Sequence, residues 1–149
     1  MIALLQRVSY AEVTVKNQIT GEIDQGLLIF IGVFNHDTEK DVQFLVDKIS
    51  GFRIFNDEND KMNLSVQDVK GSVLVVSQFT LCADWKKGRR PSFIRAAIPE
   101  KGEQLYNEFI NRLSQKGIHV ESGSFGAMMD VKLTNDGPAT FVLDTNNIH

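Results

Sequence analysis

Ser77, Gln78, Phe79 and Thr80 lie between two stretches of opposite character. Ahead of them, Val73-Leu74-Val75-Val76 is an unbroken apolar run, the pattern of a strand buried on both faces. After them, Lys86, Lys87, Arg89 and Arg90 surround Gly88, and no acidic residue appears between Lys86 and Glu100. A buried strand thus delivers two hydroxyls and an amide to the surface, and a cationic loop follows directly. A rigid scaffold that places polar groups beside positive charge can hold an anionic substrate. A core strand that ends in ordinary polar residues before a solvated basic turn has the same pattern, and the stretch alone does not separate the two.

The elements that must position these residues come from a chain of 149 residues, 42% hydrophobic and 23% charged. That is most simply one domain spanning 1–149, long enough to bury a core. No apolar run approaches a membrane span, so no membrane partner is expected. The N-terminus lacks a positive segment ahead of an apolar one, so no signal peptide is expected. The single cysteine, Cys82, excludes an internal disulfide and fits a reducing cytoplasm. A net charge of −3 argues against a general nucleic-acid coat and against a DNA partner. Basic residues are concentrated locally, however, at Lys86, Lys87, Arg89, Arg90 and Arg95. An acidic body with one basic patch fits an enzyme that grips one end of a nucleic acid. A solubilising loop is the other reading of that patch.

Along the chain, Val8, Tyr10, Val13 and Val15 alternate with polar residues, with a slip of phase between Tyr10 and Val13. The pattern predicts a long first strand with a bulge there. Lys16-Asn17 reads as a hairpin turn, with Ile19, Gly21 and Ile23 on the return strand. Gly26 opens a second buried strand, Leu27 to Val33. Thr38 to Asp41 resembles a capping box, and Val42, Leu45, Val46 and Ile49 follow at helical spacing, with Gly51 as the stop. Pro99 begins a second helix, with Leu105, Tyr106, Phe109, Ile110 and Leu113 as its apolar face and Gly117 as its end. Short strands are expected at 118–121, 131–134 and 140–143, with the small-residue turn Ser122 to Ala127 before the second. Two helices among seven or more strands define an α+β domain.

Familiar catalytic motifs are missing. His36, His119 and His149 do not lie in a His-Glu-x-x-His motif, no cysteines pair, and there is no nucleophile elbow. His149, the last residue, is expected to be mobile, and His119 to be structural. The acids of the polar loop from Asn56 to Lys61 lack the glycine and the terminal glutamate of a calcium loop. No metal and no cofactor are therefore expected. Thr80 is the obvious nucleophile, but a threonine hydroxyl needs a neighbouring base and none is close in sequence.

Near the C-terminus the chain reads Asn135-Asp136-Gly137-Pro138-Ala139-Thr140. Together, the SQFTL segment, the basic loop with RPSF and this NDGPAT segment resemble the D-aminoacyl-tRNA deacylase family. The resemblance runs from the opening Met1 to Val8 through Gly51 to Phe55 and Lys61 to Leu64. Ala139 stands where the family usually has valine, and Cys82 where relatives often carry another small residue.

The resemblance implies two stacked β-sheets with a helical layer, a β-β-α three-layer sandwich, in a homodimer with its sites at the subunit interface. It implies a hydrolase that cleaves D-aminoacyl-tRNA, and mischarged glycyl-tRNA, to free amino acid and tRNA. It also implies that Gly137-Pro138 is a cis dipeptide, inserted from one subunit into the other's site to exclude L residues. An X-Pro bond is where cis is cheap, at about 0.5–1 kcal/mol, though Asp-Gly-Pro also reads as a plain turn. Phe125 and Met129 read as lining the same pocket, or as plain core. Backbone N–H groups around Phe79 and Thr80, with the Gln78 amide, could hold the carbonyl oxygen as it becomes an oxyanion. Water or a substrate ribose hydroxyl would then act as nucleophile or proton relay. Lys86, Lys87, Arg89 and Arg90 would contact tRNA. A tRNA-end binder without catalysis is the rival reading.

Overall fold

Strand β1 (Ile2–Val15) is the shared member of the sheet. It turns into β2 (Gln18–Ile23) through Lys16 and Asn17, whose φ angles of 49° and 62° are those of a twisted two-residue hairpin. Strand β3 (Gly26–Gly32) returns along the first half of β1, with Ile2 opposite Gly32 and Val8 opposite Gly26. Helix α1 (Glu39–Ser50) follows, then a short ribbon of β4 (Phe55–Asn56) and β5 (Met62–Leu64). Strand β6 (Ser72–Ser77) lies parallel to β3, and β7 (His119–Ser122) lies parallel to β6. Parallel neighbours need a crossover. Helix α1 supplies the first and α2 (Pro99–Gln115) the second. Strand β8 (Asp130–Asp144) closes the far edge of β1 along its length. These elements are those of a computed structural model, which describes residues 1–147, so His149 lies outside the described residues.

The six strands form one mixed sheet in the order β2-β1-β3-β6-β7, with β8 beside β1. It curls until its ends approach: a Cβ on Gly21 of β2 would lie 2.8 Å from the Ser122 carbonyl oxygen of β7. The result is a nearly closed, barrel-like α+β domain. The stack of two sheets expected from the sequence takes the form here of this single curled sheet and the separate β4–β5 ribbon.

Strands β3 and β6 are buried on both faces, and the two faces join different cores. Leu27, Ile29, Ile31, Val73 and Val75 meet Val42, Leu45, Val46 and Ile49 of α1 and Leu105, Phe109 and Leu113 of α2. Leu28, Leu74 and Val76 meet Val8, Ala11, Val13 and Ile23 inside the curl. Fully burying one such side chain is worth about 1.5–3 kcal/mol, so the apolar runs hold the sheet between two cores. Thr38 caps α1 as its sequence implies: its hydroxyl accepts from the Lys40 N–H, and Asp41 accepts from the Thr38 N–H at 2.8 Å. Gly117, with φ of 82°, follows the end of α2.

Two local expectations are corrected. The change of phase in β1 falls between Val8 and Ala11, where its pairing with β8 shifts register, because Val8 and Ala11 both face the inner core. The two short C-terminal strands are one strand, β8, interrupted by an outward loop. The polar residues leave the strand at Ser77, as the sequence implies, and coil into a short 3-10 turn, Phe79–Cys82.

Candidate active site

The carboxyl end of β6 opens into a cavity of about 570 Å³. Val76, Ser77, Gln78 and Phe79 form one wall. Ala96, Ala97 and Pro99 form a second, and the segment from Phe125 to Met129, with Val131, forms a third. Ligand sites in sheets of this kind lie beyond the carboxyl ends of parallel strands. The sequence-predicted residues Ser77, Gln78, Phe79, Phe125 and Met129 therefore converge on one cavity, although they come from distant parts of the chain. Helix α2 begins at its edge with Pro99 at the first position, so the positive end of the helix dipole lies beside it.

The turn at the cavity mouth is tightly specified. The Gln78 N–H donates to the Ile31 carbonyl at 2.8 Å, which extends the β3–β6 ladder by one residue. The Leu81 N–H then reaches back to the Gln78 carbonyl at 3.2 Å. The N–H groups of Phe79 and Thr80 head this turn, where helical geometry leaves the first donors without an intrahelical acceptor. The Gln78 side-chain amide donates to the Thr80 hydroxyl oxygen. An amide is not a base, so this contact does not activate Thr80 as a nucleophile. Nor does Cys82 serve: it is buried, and desolvation, with the Asp37 carboxylate second, pushes its thiol up to about 11. Thr80 itself is exposed at the rim and does not line the cavity.

The far walls are fixed by packing. Phe125 lies against Tyr106 with ring centroids 5.6 Å apart, and its ring comes within 3.4 Å of where a Cβ on Gly102 would be. The buried Tyr106 donates its hydroxyl to the Val75 carbonyl at 2.9 Å, and burial pushes its phenol up to about 12. Met129 packs against the inner core. Ala96 and Ala97 are held by β3's continuation: Phe34 bridges Ala96, and the Ala97 N–H donates to the Val33 carbonyl at 2.9 Å.

Gly137 and Pro138 are not in the cavity. They form the exposed tip of a loop, residues 136–139, that bulges from β8 opposite Arg7, and their peptide bond is cis. Gly137 has φ of 152° and leaves no room for a side chain, since a Cβ would sit 2.6 Å from the Ala139 nitrogen. Two polar side chains pin the loop. Arg7, only 5% exposed, donates to the Asp136 carbonyl at 2.8 Å and to the Ile54 carbonyl at 2.7 Å. Asn135 accepts from the Ala139 N–H at 2.8 Å and donates to the Ala139 carbonyl at 3.2 Å. Along β3 the loop's anchor Arg7 registers with Leu27, whereas Ser77 registers with Ile31. Four residues of strand amount to about 13 Å, and the loop hangs on the far side of β1. Within one chain the cavity and the loop do not meet.

Lys86, Lys87, Arg89 and Arg90 are exposed on a hairpin loop closed by mutual Asp84–Ser92 backbone bonds, both 2.8 Å. Arg95 leaves that patch and lies over the Phe34 ring at 5.0 Å. Among the described residues no group of three or more His, Cys, Asp or Glu side chains converges as a metal site. His36 stacks on Phe34, and the exposed His119 stands 3.7 Å from Glu121 on β7. Sequence reasoning missed Ala96, Ala97, Met128 and Arg7. Arg7 had a signal, because it continues the buried phase of Ala3 and Leu5 and is the one charged residue in it. The alanines had none.

A family profile described as D-Tyr-tRNA(Tyr) deacylase matches residues 4–144. The chain is 54% identical to the D-aminoacyl-tRNA deacylase of Thermotoga petrophila, over 99% of each chain. It is 55% identical to that of Bacillus pumilus, over 97% of this chain and 99% of the other. A solved structure titled c-Myc DNA Unwinding Element Binding Protein superposes with a TM-score of 0.91 at 38% identity, covering 97% of this chain and 99% of the other. A probable eukaryotic D-amino acid tRNA deacylase shares the fold, with a TM-score of 0.84 at 17% identity over 95% of this chain and 97% of the other. The domain is an α+β enzyme scaffold with its cavity at the ends of parallel strands. The chain belongs to the D-aminoacyl-tRNA deacylase family.

Proposed function

We propose that the cavity beyond β6 is where this chain, a hydrolase acting on D-aminoacyl-tRNA by its family membership, cleaves the ester between the amino acid and the terminal adenosine. The observation that carries this reading is the convergence of Ser77, Gln78 and Phe79 with Phe125 and Met129 around one cavity. The N–H groups of Phe79 and Thr80, with the Gln78 amide, receive the negative charge that develops on the carbonyl oxygen. Such a donor is worth about 100- to 1,000-fold in rate. An aminoacyl ester is already activated, so a water or a ribose hydroxyl suffices as nucleophile or relay.

The chain works as a homodimer in which the partner's Gly137–Pro138 loop completes the cavity. Its exposed tip and its distance from its own chain's cavity support this. So does the apolar rim of the cavity: Phe79, Ile98 and Met128 are all exposed, and Met128 is 92% exposed. The two sides of the curled sheet, facing each other across the inner core, and an outer helical layer give the three-layer arrangement. Backbone carbonyls of the loop stand where an L side chain would go, so selection works by exclusion. Glycine has no side chain to exclude, and glycyl-tRNA is accepted. The basic loop holds tRNA phosphates. A translation substrate fits the cytoplasmic setting read from the lone cysteine.

The test is deacylation of D- and L-tyrosyl-tRNA by the purified protein. Release of D-tyrosine alone is the expected result. Binding of tRNA with no release of amino acid would make the chain a tRNA-end binder.

A further inference from the structure

Trp85 is 77% exposed and stands at the foot of the basic hairpin loop. It does not stand singly, since Phe79 and Phe93 of the same region are also among the exposed large apolar side chains, and clustered exposed apolar groups mark a binding surface. Its surroundings restrict the answer. The Asp84 carboxylate beside it is turned inward onto the Lys86 N–H, which it accepts at 3.0 Å. The tip beyond carries Lys86, Lys87, Arg89 and Arg90, all exposed, around Gly88 with φ of 74°. On the other arm Phe93 packs edge-on against Phe79, with centroids 4.9 Å apart, and Phe79 lines the cavity. The Asp84–Ser92 bridge thus joins the arm that carries the indole and the four cations to the arm whose Phe93 packs on Phe79 at the cavity wall.

An exposed aromatic ring flanked by cations is the arrangement that binds single-stranded nucleic acid, with bases on the ring and phosphates on the charges. We propose that Trp85 is the stacking platform for an unpaired nucleotide of the tRNA 3′ end, next to the adenosine whose ester enters the cavity. The proposal rests on the deacylase reading above and names a contact that sets affinity for the nucleic acid. A base presents a π-face whatever its identity, so the contact is tolerant of sequence, while the loop cations supply the salt dependence.

Trp85 is the only tryptophan in the chain, so its emission reports the contact directly. The trinucleotide CCA is expected to quench it saturably, and an abasic ribose-phosphate trimer to leave it nearly unchanged. Trp85→Ala should weaken KM for D-tyrosyl-tRNA roughly 5- to 100-fold more than it affects 3′-O-D-tyrosyl-adenosine, and Trp85→Phe should restore most of the difference. Equal quenching by the abasic trimer, or equal effects on the two esters, would overturn the platform. So would a Trp85→Ala protein that becomes monomeric, because the indole would then belong to the subunit contact. Hydrolysis of both esters by the wild type with no quenching rejects the platform and keeps the deacylase. Quenching by CCA with hydrolysis of neither ester supports the platform and rejects the deacylase.

Discussion

The cavity and the Gly137–Pro138 loop are built by opposite means. The cavity is shaped by packing: its walls are the ends of β6 and α2 and the segment 125–131, whose Phe125, Met129 and Val131 pack against the apolar cores. The loop is shaped by polar side chains that grip its backbone, Arg7 from β1 and Asn135 from β8. A packed wall is rigid and can receive a substrate. A loop held at its base by hydrogen bonds, with its tip in water, is suited to entering a pocket elsewhere. The contrast sharpens the proposal above: if the cavity and the loop are two halves of one site, they meet only across two copies of the chain.

The largest break should come on the cavity side. Gln78→Ala removes a side-chain amide at the cavity mouth without touching either core. Loss of an oxyanion donor predicts a fall in kcat of about 100-fold or more, with the fold retained by circular dichroism. A fall of less than threefold would take the Gln78 amide out of the chemistry.

The loop side should respond in selectivity. Asn135→Ala removes the two bonds to Ala139 and leaves the Arg7 grip in place. At about 1 kcal/mol for each bond, the D-over-L ratio should fall by up to about 30-fold, with a smaller change in the D rate. An unchanged ratio would show that the loop's geometry does not select.

A smaller and different effect is expected from the basic hairpin. Replacing Lys86, Lys87, Arg89 and Arg90 with alanine should raise KM for D-tyrosyl-tRNA and flatten its dependence on salt. Phosphate contacts carry no chiral information, so the D-over-L ratio should hold. A KM that stays unchanged across several salt concentrations would make the hairpin a merely solvated face.

The cavity and the loop also differ in how far the sequence discloses them. Val73 to Val76 announces a doubly buried strand, and the polar residues that follow must emerge at its end. Thr38 and Asp41 announce the start of α1. Those signals are local, and the structure follows them. The walls at Ala96, Ala97 and Met128 have no periodicity to read, because small residues in irregular backbone owe their places to tertiary packing. The turn at Phe79–Cys82 was hidden for a related reason: Phe79-Thr80-Leu81 suits a strand by propensity, and the need to end the ladder at Ile31 overrides it. Strand β8 looked like two strands because the Asp136-Gly137-Pro138 turn signal interrupts an alternation that resumes on the same partner, β1. Residue types alone showed that Gly137 and Pro138 form a turn. That Arg7 reaches across from β1 to hold it could be learned only from the fold.

The central claim is that one protomer's loop completes its partner's cavity, and mixed dimers test it most directly. Protomers bearing Gln78→Ala are co-expressed with protomers bearing Asn135→Ala and isolated through two C-terminal tags, since the Met1 ammonium is buried against Asp37 at 2.6 Å. In the mixed dimer the only cavity with Gln78 belongs to the Asn135→Ala protomer, and the intact loop belongs to the other. If the loop acts across the interface, the mixed dimer deacylates D-tyrosyl-tRNA at about half the wild-type rate with the wild-type D-over-L ratio. A mixed dimer whose ratio equals the lowered one of the Asn135→Ala homodimer would place the loop beside its own cavity and contradict the account.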